Sequence, residues 1–281
     1  MGDGAPGFLE SMLVIDREDD ASFRARLHDY AGVAFGGDVI ARAAVAATRT
    51  CREKGFHGLH ASFLRPLAPG AEVSLRVVAL SDGRRVARRR VDVAAGDRLL
   101  CQVTVSFSAA SEGETWQEVV APEAAPPETL TPDVEVAKQQ GWTDFDPDRE
   151  EFEWRWETLD GQRPLRPRES AWRFWLRPRQ PLSPEPALHA AAIAYVSDLA
   201  SHASAIRRLA REFGPSEYAS LDHSLQLHRP TRWDDWWLFC DRSEVAAAGR
   251  AFWQRRIFAR DGTLVASVAQ DAWLGATDGR A

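Results

Sequence analysis

Two stretches of the chain alternate apolar and polar residues, and each follows a run of small apolar residues. In the first half the alternation has a period of two, which predicts antiparallel strands separated by turn signals. The predicted strands are AEVSLRVVAL, RRVARRRVDVAA and RLLCQVTVSFS. Before them, AFGGDVIARAAVAATRTC predicts a helix that is apolar nearly all round, and GLHASFLRP predicts a further strand.

The second half repeats this order of elements. The segment AYVSDLASHASAIRRLA predicts a helix, and Asp261-Gly262 predicts a hairpin turn between the last two strands. The strands predicted after the helix are SLDHSLQLHRP, WWLFCDRSEVAAAG, RAFWQRRIFA and TLVASVAQDAWL.

Matching positions in the two halves lie at a nearly constant spacing along the chain. Asp38 in the first helix matches Asp198 in the second. The Arg-Pro that ends a strand matches in the same way, and so does the aromatic residue that closes the last strand of each half. These pairs are Arg65 with Arg229 and Phe107 with Trp273. A duplicated unit is the simplest explanation of this spacing.

A different composition separates the halves. Residues 109–150 are acidic, contain several prolines and show little periodicity, which is typical of a connector. One helix for several antiparallel strands predicts an α+β fold in which the sheet curves around the helix.

Charge and cysteine content exclude several function classes. The chain has 35 basic and 41 acidic residues and a net charge of −6, which argues against a nucleic-acid partner. Three widely spaced cysteines argue against a disulfide framework or a zinc site. The N-terminus lacks the pattern of a signal peptide and no segment has the length of a membrane span, so we expect a soluble cytoplasmic protein without membrane partners.

Short motifs add little. GDGAPG at residues 2–7 satisfies G-x-G-x-x-G, but no predicted strand precedes it, so a dinucleotide site is not expected. The chain has no G-x-S-x-G or H-E-x-x-H motif, and His57 and His60 would point to opposite faces of a strand. We therefore expect no metal and no bound cofactor.

Several segments together resemble the type II acyl-CoA thioesterases. In the first half these are FGGDVIARAAVAA, LHASFLRP, DGRRVARRRV and SFS. In the second half they are YVSDLASHA, SLDHSLQLHRP and RDGTLVASVAQD. The resemblance implies a double hotdog fold, in which two tandem hotdog units form a continuous curved antiparallel sheet around two central helices.

The resemblance also predicts the organisation of the chain. Residues 1–108 would form the N-terminal hotdog unit, 109–150 a connector outside the sheet, and 151–281 the C-terminal hotdog unit with the active site. The central helices are expected near residues 35–50 and 190–209. A homodimer or a larger even oligomer is expected, because hotdog units tend to bury further surface.

The family hydrolyses the thioester of fatty acyl-CoA with a water positioned by three side chains. The resemblance implies that these are Asp198, Ser220 and Gln270 in this sequence. A carboxylate can accept a proton from water, and a hydroxyl and an amide can orient that water. Coenzyme A would then be part of the substrate, which could also be an acyl-carrier thioester.

Four further residues are candidates for substrate binding: Gly36, Gly37, Asp38 and His60. Family members commonly have F-G-G-Q where this chain has Phe35-Gly36-Gly37-Asp38. Because Asp38 is the repeat partner of Asp198, it is either a second base or a lining or structural residue.

Two other functions remain open from the sequence. A non-hydrolytic acyl-thioester-binding or scaffold protein could keep the fold. A hotdog hydratase or dehydratase would use an Asp-His pair, which Asp198 and His202 could form on one helical face. His223 and His228 are interpreted as structural.

Overall fold

The fold is taken from a computed structural model of the chain. It describes residues 8–11, 14–29, 34–140, 151–157, 171–199, 218–229 and 232–275. Contacts divide the chain into two units that interleave along the sequence. The first contact unit consists of Met1–Glu114, Leu182–Leu199 and Asp222–Arg232. The second consists of Thr115–Pro181, Ala200–Leu221 and Trp233–Ala281. The boundaries at residues 108 and 150 stay a prediction.

Antiparallel strands form the sheet of the first contact unit. They are β1 (Asp16–Arg17), β2 (Ser22–Arg26), β3 (Gly55–Phe63), β4 (Glu72–Asp82), β5 (Val86–Ala95), β6 (Arg98–Ser108) and β10 (Asp222–Leu227). Their spatial order is β1-β2-β4-β5-β6-β3-β10. The three strands predicted from alternation, β4, β5 and β6, are neighbours in this order because short hairpins connect them.

Two central helices pack against each other and against the sheet of this unit. Helix α2 (Gly36–Arg49) is where the small-residue run predicts it, and residues Gly37–Ala47 are all buried. Helix α4 (Pro186–Asp198) is also buried along its length, with Pro186 in its first turn. A short helix, α1 (Phe8–Ser11), precedes β1.

The second central helix differs in its limits from the predicted range of 190–209. It begins earlier, at Pro186, because proline is tolerated in the first turn of a helix. It ends at Asp198, since Leu199 has extended dihedrals of φ −61° and ψ 136°. Asp198 is therefore a terminal residue of α4 and does not lie in the middle of a helix. Residues 200–209 lie outside the described part of the chain.

The sheet of the second contact unit is also antiparallel. Its strands are β7 (Phe152–Trp156), β8 (Ala171–Pro178), β9 (Tyr218–Ser220), β11 (Trp237–Ala247), β12 (Arg250–Ala259) and β13 (Leu264–Leu274). Their order is β9-β13-β12-β11-β8-β7. The expected turn at Asp261-Gly262 joins β12 to β13, with Gly262 at φ 85°. Ala248 and Gly249, both with positive φ, make a shorter turn between β11 and β12, at a place where the sequence has no recognised turn signal.

From Thr115 onward the connector belongs to the second contact unit. Its described part, residues 109–140, contains a short 3₁₀ helix (Pro127–Thr129) and helix α3 (Asp133–Gln140). Its apolar residues cover a cluster formed by Trp175, Trp236, Leu238 and Phe258. Gln117 accepts a hydrogen bond from the backbone N–H of Leu264 and donates to the carbonyl of Gly262. None of the helices in the described ranges combines the length and apolar character needed to cross a membrane.

A buried ion pair lies among the aromatic side chains of the second contact unit. Arg255 on β12 faces Asp241 on β11, and its Nε and Nη2 donate to the two carboxylate oxygens at 2.5 and 2.6 Å. The guanidinium carbon lies 5.3–5.4 Å from the ring centroids of Phe174, Phe239 and Trp253. Burial raises the pKa of the Asp241 carboxyl, and the adjacent Arg255 acts in the opposite direction.

Removing only one member of this pair should destabilise the protein strongly. We expect Arg255→Met to lower the free energy of unfolding by about 3–5 kcal/mol, because Asp241 would remain buried without its cation. The double variant Arg255→Met, Asp241→Leu should recover most of this loss, as measured by urea denaturation. A double variant as unstable as the single one would show that the unpaired charge is not the cause.

Candidate active site

Asp198 is a buried carboxylate between the ends of two helices. It is the last residue of α4 and only 3% exposed. The C-terminal end of a helix carries partial negative charge and disfavours an anion, whereas an N-terminal end favours one. One Asp198 oxygen, Oδ2, lies beside Gly36, the first residue of α2. The N-terminal end of α2 therefore offsets the unfavourable end of α4.

The start of α2 is built from glycines for steric reasons. A Cβ atom on Gly36 would lie 2.8 Å from Asp198 Oδ2 and 3.1 Å from the ring of Phe63. A Cβ on Gly37 would lie 2.8 Å from the backbone carbonyl oxygen of Tyr195. The N-cap residue, Phe35, provides no side-chain hydrogen bond to the first turn. The first turn of α2 therefore packs closely beside Asp198, and its backbone N–H groups have no side-chain cap from Phe35.

His223 is the second polar group beside Asp198. It lies on β10, is fully buried, and its Nδ1 is 3.7 Å from Asp198 Oδ1. Its Nε2 is 2.8 Å from the hydroxyl of Ser197, the residue before Asp198. No local sequence pattern indicates this contact, and the interpretation of His223 as structural did not include it. The alternation along β10 indicates only that His223, like Leu225, is buried.

Ser220 and Gln270 lie together in the second contact unit. Gln270 is a buried residue of β13, at the inward position that the period-two pattern predicts. Its Nε2 donates a hydrogen bond of 2.6 Å to the Ser220 hydroxyl on β9. Since the amide provides the proton of that bond, the hydroxyl retains its own proton for another acceptor. The two residues can therefore orient a small polar molecule.

Asp38, the repeat partner of Asp198, has a different environment. Its Oδ1 accepts a hydrogen bond of 2.9 Å from Arg42 Nε, one turn further along α2. Its Oδ2 accepts one of 2.9 Å from the backbone N–H of His28. Arg42 Nη1 also donates to the carbonyl of Val14. These bonds tie the N-terminal segment to α2, which favours a structural role for Asp38.

His60 lies on the opposite face of the sheet from His223. It is exposed on β3, between the buried residues Leu59 and Ala61. The register pairs His223 with Ala61 and His60 with Ser224. His60 Nδ1 is 2.7 Å from the Ser224 hydroxyl. Because paired residues share a face, His60 points away from the face that carries His223.

The remaining candidates for the site are His202 and a metal ion. His202, the alternative partner of Asp198, lies outside the described residues. Among the described side chains, no group of three or more His, Cys, Asp or Glu is arranged to hold a metal ion.

Both halves of the chain match models of one protein family. Residues 24–108 match the acyl-CoA thioesterase N-terminal domain, and residues 122–274 match the acyl-CoA thioesterase C-terminal domain. The chain belongs to the acyl-CoA thioesterase family. It is 28% identical over 279 residues to acyl-CoA thioesterase 2 of Haemophilus influenzae, covering 95% of this chain and 96% of that protein.

Solved structures agree with this membership. An acyl-CoA thioesterase II, TesB2, from Mycobacterium marinum is 30% identical and superposes with a TM-score of 0.82, covering 97% of this chain and all of that chain. A hot dog fold protein from Alicyclobacillus acidocaldarius is 15% identical with a TM-score of 0.78, covering 97% of this chain and 99% of that chain, and this shows likeness of fold alone. The predicted double hotdog fold is confirmed.

The contact at Gly36 gives a prediction for thioesterase activity. A methyl group in Gly36→Ala should displace the Asp198 carboxylate, because the new Cβ would lie 2.8 Å from Oδ2. We expect kcat for acyl-CoA hydrolysis to fall by about 10²-fold, in line with a misplacement of about 1 Å for a reacting group. Gly113→Ala is the control, since a Cβ there meets nothing within 4 Å. Equal rates for the two variants would contradict the prediction.

Proposed function

We propose that this protein hydrolyses acyl-CoA thioesters to the free acid and CoA. The observation that carries the proposal is the match to both thioesterase domains, over residues 24–108 and 122–274. The thioesterase similarities fit a fatty or related acyl-CoA substrate and a role in lipid metabolism. An acyl-carrier thioester presents the same bond and is a second candidate substrate.

Asp198 is the general base of the proposed reaction. It removes a proton from water while the water oxygen forms a bond to the carbonyl carbon and the carbonyl electrons move to the oxygen. When the C–S bond breaks, the sulfur leaves with the electron pair and takes the proton from Asp198. The burial of Asp198 beside a helix N-terminus supports this role.

Ser220 and Gln270 orient the attacking water. Their mutual hydrogen bond supports this, because it fixes the hydroxyl while leaving its proton for the water. Backbone N–H groups of Gly36 and Gly37 are our candidates for donors to the developing oxyanion, since Phe35 gives that turn no side-chain cap. Substrate binding by Asp38 or His60 has less support, because both have other hydrogen-bond partners.

The proposal extends to assembly and location. We expect a homodimer or a larger even oligomer, as is common for hotdog proteins, and a cytoplasmic location. Neither a bound cofactor nor a metal is required by the proposed reaction, because water is the nucleophile and CoA is part of the substrate.

A comparison of two repeat-related aspartates tests the role of Asp198. We expect Asp198→Asn to lower kcat by about 10²–10⁴-fold with little change in KM, because the amide cannot accept the proton. Asp38→Asn should lower the unfolding temperature, since Arg42 loses its anion, but the folded enzyme should keep its kcat. Equal loss of activity in both variants at full folding would assign Asp38 to the reaction.

A panel of acyl-CoA substrates tests the function itself. Release of free thiol from straight, branched, short and long acyl chains is expected for at least one class, with Asp198→Asn as the inactive control. Binding without thiol release would favour a non-hydrolytic acyl-binding protein. Loss of activity in His202→Gln with a normal rate in Asp198→Asn would favour the hydratase or dehydratase class.

A further inference from the structure

The Ser197 hydroxyl determines which nitrogen of His223 carries a proton. Ser197 Oγ lies 2.7 Å from the carbonyl oxygen of Ala194 and 2.8 Å from His223 Nε2. A carbonyl oxygen can only accept, so the single hydroxyl proton goes to Ala194. The remaining bond then requires His223 Nε2–H as the donor and Ser197 Oγ as the acceptor.

In a neutral ring, this arrangement also decides the state of Nδ1. In a neutral imidazole one nitrogen carries the proton and the other has a lone pair. With the proton on Nε2, the lone pair of Nδ1 points to Asp198 Oδ1, 3.7 Å away. A lone pair and an ionised carboxylate repel each other, whereas a protonated carboxyl can move closer and donate a hydrogen bond to Nδ1.

We propose that His223 is a positioning residue that stabilises the protonated form of Asp198. The inference rests on the proposed role of Asp198 as general base. When Asp198 takes the proton of the attacking water, its new O–H turns to the Nδ1 lone pair, and the proton stays on Asp198 until the leaving sulfur receives it. His223 neither gains nor loses a proton in this step. The bond to Ser197 keeps the His223 ring in the Nε2–H tautomer throughout.

The two repeats have different residues at the strand position of His223. Arg65 and Arg229 are repeat partners, and the same separation along the chain relates His60 on β3 to Ser224 on β10. These two residues are also opposite each other in the strand register. One position earlier, the same spacing relates His223 to Leu59, a buried leucine of β3. A core position of the first repeat therefore carries an imidazole in the second repeat, and Asp198 is the aspartate beside it. Asp38 differs in having the guanidinium of Arg42 as a hydrogen-bond donor. The ring of His28 is also near Asp38, but its Nδ1, 3.4 Å from Asp38 Oδ1, lies 3.2 Å from Arg42 Nη2.

Nitrogen NMR of the ring tests the tautomer without any substrate. In protein labelled with ¹⁵N-histidine, we expect His223 to show a protonated Nε2 and an unprotonated Nδ1 at neutral pH. Its signals are assigned as those missing from His223→Gln, or from His223→Asn if the first variant does not fold. In Ser197→Ala the Nδ1–H tautomer should become populated. An imidazolium with both nitrogens protonated, or an unchanged tautomer in Ser197→Ala, would overturn the proposal.

Two variants distinguish a positioning role of His223 from a purely structural one. Gln can place its Nε2 where the ring has Nε2, so His223→Gln keeps the bond to Ser197 but offers no lone pair at the Nδ1 position. We expect its kcat to fall about 10- to 100-fold at nearly constant KM, the range known for groups that orient a metal-bound side chain. Ser197→Ala should lower kcat by about threefold to tenfold, because part of the population has the wrong tautomer.

A matched control and a double variant complete the test. Thr48→Ala removes a hydroxyl that donates to a helix carbonyl, that of Ala44, and it should change neither kcat nor the His223 signals. Adding His223→Gln to Asp198→Asn should cause no further loss of kcat, because the imidazole acts through the carboxyl. Independent, multiplying losses would overturn the proposal. If no acyl thioester is hydrolysed but the tautomer is as expected, the proposed function fails separately from this assignment.

Discussion

The close approach of helices α2 and α4 is the contact on which the candidate site depends. Gly37 allows the first turn of α2 to lie against the backbone carbonyl of Tyr195, and Gly36 leaves room for the Asp198 carboxylate. A Cβ atom at Gly37 would press on the helix backbone at Tyr195, and one at Gly36 would displace the Asp198 carboxylate. This contact places the N-terminal end of α2 beside the C-terminal end of α4. The partial negative charge at the end of α4 disfavours the Asp198 carboxylate, and the partial positive charge at the start of α2 stabilises it.

The two halves of the chain have similar elements and different polar chemistry. In the first repeat the aspartate pairs with Arg42 and holds the N-terminal segment, so its charge is used for stability. In the second repeat the aspartate lies against the imidazole of His223 and the backbone of Gly36. One copy of the fold can thus keep a structural ion pair while the other keeps a carboxylate suited to proton transfer.

The sequence predicted those features that follow from local periodicity. Strands β4, β5, β6, β12 and β13 were predictable because alternation directly gives the buried face, and the same argument placed Gln270 inward. The end of α4 at Asp198 was not predictable, because small helix-forming residues continue beyond it. The Asp241–Arg255 and Asp198–His223 contacts depend on strand register and helix packing, which no local pattern contains.

The connector also covers apolar side chains of the second contact unit. Residues 119–130 supply apolar side chains to the cluster around Trp175, Leu238 and Phe258, and Gln117 bonds to the turn before β13. A segment with the composition of a spacer therefore acts as a covering layer for one face of a sheet. A recombinant fragment that began at residue 151 would leave large aromatic and aliphatic side chains in water, and its solubility would suffer accordingly. Expression boundaries for this half belong upstream of Gln117.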